Sequence, residues 1–183
     1  MTLRVDVQCR AEMRKGNKLG GYAAVFEESA DLGWLGKERM AVGSLDTALR
    51  SSDVRALWEH EPRWLLGRTS ADTLRLSADS RGLEWEVDLP DVSYANDLRA
   101  LVERGDITGA SFAFVPGAHT WDRETETRTH VSVKQLVDVS AVAFPAYEGA
   151  STEARAADVR NCAHRRRSQL IRLRAGILLG RRA

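Results

Sequence analysis

Arg104-Gly105-Asp106-Ile107-Thr108-Gly109-Ala110-Ser111-Phe112-Ala113-Phe114 joins the two kinds of periodicity in this chain. Upstream of it the spacing is helical. Ser93 stands at an N-cap position, Tyr94, Leu98, Leu101 and Val102 form one apolar stripe, and Gly105 supplies a left-handed C-terminal position. Downstream, a second glycine makes a tight turn and a serine opens a short apolar strand, with Phe112 and Phe114 on the face opposite Ser111 and Ala113. The stretch predicts a helix packed on β-structure, with Ser111 at the mouth of a strand and both phenylalanines in the core.

Working outward, the chain before that helix reads as a succession of short strands. Leu83-Glu84-Trp85-Glu86-Val87-Asp88-Leu89 alternates cleanly, residues 65–69 and 74–76 are two further strands, and Asp79-Ser80-Arg81-Gly82 makes the turn between the strands at 74–76 and 83–89. Val54-Arg55-Ala56-Leu57-Trp58 is a core strand running up to His60, and Pro62 prevents its extension as a central strand. Nearer the start, Leu3, Val5 and Val7 alternate with Arg4 and Asp6. The turn Lys15-Gly16-Asn17-Lys18 then leads into a strand over residues 19–26, giving a hairpin. Residues 28–44 predict a long loop anchored by Trp34 and Met40, with a strand near 38–42; Ser44 is placed to cap a short helix over 45–51. After the Ser111 strand, residues 121–128 make a charged hairpin tip, and a last strand at 136–144 stops at Pro145. Short strands with few helices predict an α+β protein built on a barrel or sandwich, not a parallel α/β sheet.

With 183 residues, 43% apolar and 29% charged, the chain suits one domain with an appendage and can bury a core without staples. Cys9 and Cys162 lie near opposite ends and form no metal-ligand spacing, so neither a disulfide framework nor a zinc site is indicated. The first residues alternate instead of forming an apolar run, against a signal peptide, and no segment approaches the roughly 20 apolar residues of a membrane helix. A net charge of +1 gives no global bias toward nucleic acid. The basic charge is concentrated beyond Ser151, where Arg155, Arg160, Arg165, Arg166, Arg167, Arg172 and Arg174 accompany Leu170, Ile171, Leu173 and Ile177. The expected organisation is a body over residues 1–150 and a basic amphipathic tail over 151–183.

Three side chains in the body have the chemistry of acyl transfer. A serine hydroxyl becomes a nucleophile when a neighbouring base takes its proton, and imidazole has the right ordinary pKa for that near neutrality. Ser111 is the candidate nucleophile and His60, where a strand meets a loop, the candidate base. Asp138 stands between Val137 and Val139 in an apolar strand, and such a carboxylate must face solvent or find a partner. It is the candidate to orient His60, with His130 the runner-up, although the Thr- and Arg-rich setting of His130 predicts an exposed side chain. Leu136 and Ser140, its strand-face neighbours, make the face mixed. The four histidines include no H-E-x-x-H spacing, and neither a metal nor another cofactor is called for.

Taken together these stretches resemble the prohead (capsid maturation) proteases of HK97-type tailed bacteriophages, whose fold is related to the herpesvirus assembly proteases. The resemblance spans about residues 3–150 and rests on Gly21-Tyr22-Ala23-Ala24-Val25-Phe26, Leu57-Trp58-Glu59-His60-Glu61-Pro62 with Leu66-Gly67-Arg68, and Thr73-Leu74-Arg75-Leu76 through Gly82-Leu83. It continues through Leu89-Pro90, Arg104-Gly105-Asp106-Ile107 with Ser111-Phe112-Ala113-Phe114, and Val139-Ser140 with Pro145-Ala146-Tyr147. Glu61 stands where the family usually has Asp, and Ala113 where it often has Gly; neither change removes a catalytic group.

The resemblance implies a serine endopeptidase with Ser111 as nucleophile, His60 as base and Asp138 as the acidic member. It also implies a mostly antiparallel, seven-stranded herpesvirus-protease-like barrel with packed helices. The implied substrates are scaffold and major capsid protein segments, cut inside an immature shell in the bacterial host's cytoplasm. A homodimer is implied by related viral enzymes. Backbone amides of residues 145–150 are the candidate oxyanion donors. The tail is a solvated helix, a dock for an acidic scaffold or shell surface, or a segment trimmed by the protease itself. Two other functions remain as alternatives: a non-catalytic scaffold or assembly chaperone of protease fold, and a nucleic-acid-binding β-domain, disfavoured because the body lacks an aromatic and basic stripe.

Overall fold

The computed structural model describes residues 9–31 and 37–144. In chain order these form β1 (Glu12–Arg14), β2 (Lys18–Val25), β3 (Ser29–Asp31), β4 (Lys37–Met40), α1 (Asp46–Ser51), β5 (Arg55–Trp58) and β6 (Glu61–Arg68). A 3-10 turn at Thr69–Ala71 leads to β7 (Leu74–Ala78), β8 (Gly82–Asp88) and α2 (Ser93–Arg104). Then come β9 (Gly109–Pro116), β10 (His119–Asp122), β11 (Thr127–His130) and β12 (Val133–Val142). The strand at residues 3–7, the anchor Trp34, the candidate oxyanion amides and the tail lie outside the described residues.

The strands make three four-stranded sheets, ordered β1-β2-β8-β7, β10-β11-β4-β3 and β6-β5-β12-β9. Among the described residues the chain is mostly β and none of the three sheets closes on itself, so the expected seven-stranded barrel is not shown. Pairing is mostly antiparallel, but β5 and β11 lie parallel to β12 and β4 respectively. Pro62 sits on β6, an edge strand, where its missing N–H breaks no central ladder.

Alternation in β8 explains the first sheet. Leu83, Trp85 and Val87 are fully buried in the core with Leu19, Leu98, Leu136 and Val139. Between them Glu84 and Glu86 face out to Arg14 and Lys18, at 2.9 and 2.7 Å. Helix α2 buries Ala95, Leu98 and Val102. Gly105, at φ +81°, ends it: its N–H reaches the Val102 carbonyl at 3.0 Å, and the Asp106 N–H reaches Leu101 at 2.9 Å, a Schellman closure.

Two expected caps are corrected. Ser93 is the first helical residue instead of the cap, and the start of α2 carries no side-chain cap bond. Ser44 lies one residue before the Leu45 cap of α1; its side chain is buried, and its carbonyl accepts the Val133 N–H at 2.9 Å. At the other end of α1, the Ser52 hydroxyl accepts the Leu136 N–H at 3.0 Å. The helix therefore grips β12 at both of its own ends.

The β5–β6 hairpin is fastened at its open end by Asp53, whose carboxylate accepts from the Arg68 guanidinium and, at 3.2 Å, from the Ser70 N–H. The bond from Arg68 is the largest cause holding the Asp53 carboxyl well below its ordinary range. Lys18 likewise lowers Glu86, and Arg75 lowers Asp88. A carboxyl depressed by folding stabilises the native state above its unfolded pKa, and that contribution disappears as pH falls through the folded value. Urea unfolding should therefore show stability falling between about pH 5 and pH 1, with a shallower fall, from a lower plateau at neutral pH, for Asp53→Asn.

Candidate active site

Strand β12 is the spine of the site. It pairs antiparallel with β9, setting Ser140 opposite Ser111 and Asp138 opposite Ala113, and parallel with β5, setting Ser140 beside Leu57. Cross-strand partners project to the same face, so Asp138, Ser140 and Ser111 share one side of this sheet. Strict alternation would put Leu136 there too. A bulge between Leu136 and Asp138 shifts the register, and Leu136 pairs with Phe114 on the opposite, core face. The extra residue separates what the sequence reads as one mixed face into an apolar side and a polar side. Phe112 and Phe114 pack against the core as expected, their rings stacked with centroids 5.2 Å apart.

His60 reaches the polar side from the two-residue turn between β5 and β6. Glu59 and His60 both have left-handed backbones, at φ +55° and +54°. This is the conformation of a type I′ hairpin turn, which ordinarily selects Asn-Gly. Each non-glycine residue held there costs about 1 kcal/mol. The turn delivers the imidazole to Asp138, with Nδ1 2.6 Å from Oδ1. Ser140 donates its hydroxyl proton to the same Oδ1 at 2.8 Å, and its Oγ lies 3.2 Å from His60 Nδ1.

These contacts assign the protons. An ionised carboxylate only accepts, so Nδ1 carries the hydrogen of the 2.6 Å bond. The Ser140 proton goes to the carboxylate, which leaves its lone pairs toward Nδ1–H as a second, longer acceptor. In a neutral imidazole so bonded the nitrogen without a proton is Nε2, and among the described residues no hydrogen bond occupies it. Asp138 is 4% exposed and Ser140 fully buried, so this charge is satisfied by the protein and not by bulk water. The His60 side chain keeps 26% of its surface accessible.

The structure thus brings His60 and Asp138 into contact, with Ser111, half-buried, on the neighbouring strand; no hydrogen bond joins Ser111 to His60 among the described residues. His130, the runner-up, lies in a different sheet on β11. Its expected exposed setting is corrected: it is 3% exposed, its ring edge-on to Phe114 at 5.0 Å. Its Nε2 is 3.5 Å from Glu38 Oε1, at the outer limit of hydrogen-bonding distance, and the Glu38 carboxyl is lowered chiefly by this histidine. His119 lies exposed on β10.

Ser140 is the site residue that the sequence left unassigned. Its signal was Asp138-x-Ser140 in an apolar strand, two polar residues at the spacing that puts them on one face. Among the described residues no group of three or more His, Cys, Asp or Glu is placed to hold a metal ion, and no helix is long and apolar enough to cross a membrane.

Fold and site together define a mostly β protein whose imidazole, held by a buried carboxylate, shares a sheet face with serines, the side-chain types of serine hydrolases. Over residues 5–165 the chain matches the family model described as caudovirus prohead serine protease, and it belongs to that family. No curated protein matches it in sequence. The resemblance drawn from the sequence is borne out at the level of the family.

Removing the shared acceptor tests the network's contribution to folding. Asp138→Ala removes the acceptor of the Ser140 hydroxyl and leaves the His60 Nδ1–H only its longer contact with Ser140 Oγ, and chemical denaturation should show a loss of about 1–3 kcal/mol. Asp138→Asn keeps an acceptor oxygen and should lose less.

Proposed function

We propose that this chain is the serine endopeptidase of procapsid maturation, with Ser111 as nucleophile, His60 as general base and Asp138 as the group that orients and charges the imidazole. The observation that carries the reading is the 2.6 Å bond between His60 Nδ1 and Asp138 Oδ1, made on the strand that pairs directly with the Ser111 strand. It leaves Nε2 basic and available, the requirement for removing a hydroxyl proton. Ser111 Oγ attacks the scissile carbonyl carbon while its proton passes to Nε2. The imidazolium so formed is stabilised by Asp138, and it returns the proton to the departing amine as the carbon–nitrogen bond breaks. Water, deprotonated by the same nitrogen, then releases the acyl group from Ser111.

Ser140 is excluded as the nucleophile. It has no accessible surface, its proton is committed to Asp138, and it stands at Nδ1, the wrong nitrogen. The separation of Ser111 from His60 is in keeping with unliganded sites, whose catalytic hydrogen bonds tighten when substrate enters. The substrates are segments of scaffold or major capsid protein, cut inside the assembling procapsid in the host cell, in accord with the family's description.

Co-expression with the cognate scaffold and capsid proteins, read by intact mass, tests the reading. Native protein should process its partners, whereas Ser111→Ala should leave them whole and should not be labelled by a fluorophosphonate. Processing by Ser111→Ala would overturn the Ser111 assignment, whereas absence of both processing and labelling in the native protein would favour an assembly role without catalysis. Ser140→Ala should still be labelled, roughly ten- to a hundredfold more slowly, as expected when one hydrogen bond to a charged group is lost.

A further inference from the structure

We infer that Glu59, which precedes the candidate base, is a positioning residue that clamps the His60 turn to the end of β12. The inference rests on the proposed protease reading and concerns how its base is held. Pairing of β5 with β12 ends at Trp58 and Ala141, and Glu59 extends the attachment in two ways. Its backbone N–H donates to the Ala141 carbonyl at 3.0 Å. Its carboxylate Oε1 accepts the Ala143 N–H at 2.7 Å, a short bond of the charge-assisted kind.

The clamp answers a specific weakness of this turn. Both central residues are left-handed without being glycine, so the conformation is not one their own backbones prefer. Inward from the turn, His60 makes its bonds to Asp138 and Ser140, both on β12. If the turn relaxed toward an ordinary backbone, the ring would swing away from that strand. The Glu59 carboxylate ties the turn to the same strand, beyond Ser140, so His60 and its two partners move as one body. Ala143 is exposed, so water can replace the carboxylate at its amide; the clamp therefore acts on geometry more than on overall stability.

Two side chains that differ by one methylene separate this role from a local preference of the turn. Asn tolerates the left-handed region better than Gln, so turn propensity alone ranks Glu59→Asn above Glu59→Gln. The clamp ranks them the other way, because only Gln keeps an acceptor oxygen at the reach of the native carboxylate. In the full-length protein, the rate of fluorophosphonate labelling should stay near native for Glu59→Gln and fall roughly tenfold for Glu59→Asn, while Asn melts at the same temperature or higher. Labelling of Glu59→Asn at the native rate, or equal losses in both variants, would overturn the inference. Ser111→Ala is the control: absence of labelling there shows that the reagent reports on the proposed site. Labelling of that control at the native rate would sink the protease reading and this inference with it.

Discussion

A carboxylate on a strand of Val, Ala and Leu residues cannot be left ionised and alone, and the partners of Asp138 organise this molecule. They come from separate parts of the chain: Ser140 from the same strand, and His60 from a turn far upstream in sequence. The two can meet because β12 is an inner strand of its sheet, parallel to β5 on one side and antiparallel to β9 on the other. The parallel pairing brings the end of β5, and so His60, alongside the far end of β12. The antiparallel pairing brings Ser111 to the same face. The bulge after Leu136 decides which face that is, sending leucine into the core and aspartate away from it.

A local preference is set aside at the candidate site. In the first sheet β8 alternates from Leu83 to Asp88, and the end of α2 uses glycine where a left-handed residue is needed. At the His60 turn, a conformation suited to Asn-Gly is filled by Glu-His. The backbone strain is offset by bonds on either side of the turn: the ring to Asp138 and Ser140, the preceding carboxylate to Ala143. Single left-handed non-glycine residues also occur at turns away from the site, at Asn17, Glu27, Asp72 and Glu126, but among the described residues the His60 turn has two in succession.

His130 illustrates how sequence setting misleads. Placed among Thr and Arg, it reads as an exposed side chain, yet Phe114 covers one side of it and Glu38 approaches its Nε2. Phe114 and Glu38 come from β9 and β4, elements remote in sequence, and no local pattern announces either. The same limit applies to the barrel. Short alternating segments mark strands, but whether a row of strands closes depends on which edges pair, and edge pairing is a long-range choice.

By itself the sequence determined most of the elements and singled out His60 and Asp138, which meet in the structure. Alternation in β8, the apolar stripe of α2 and the isolated polar residues in apolar strands are short-range signals, because side-chain direction follows the backbone period. The family was legible in the same way, as motifs in order along the chain. Tertiary structure alone decided how the described strands group into three sheets, that one bulge separates Leu136 from Asp138, and that Ser140 shares the carboxylate with His60. Register, bulges and three-body hydrogen bonding depend on which strands meet, and a linear chain carries no direct record of that.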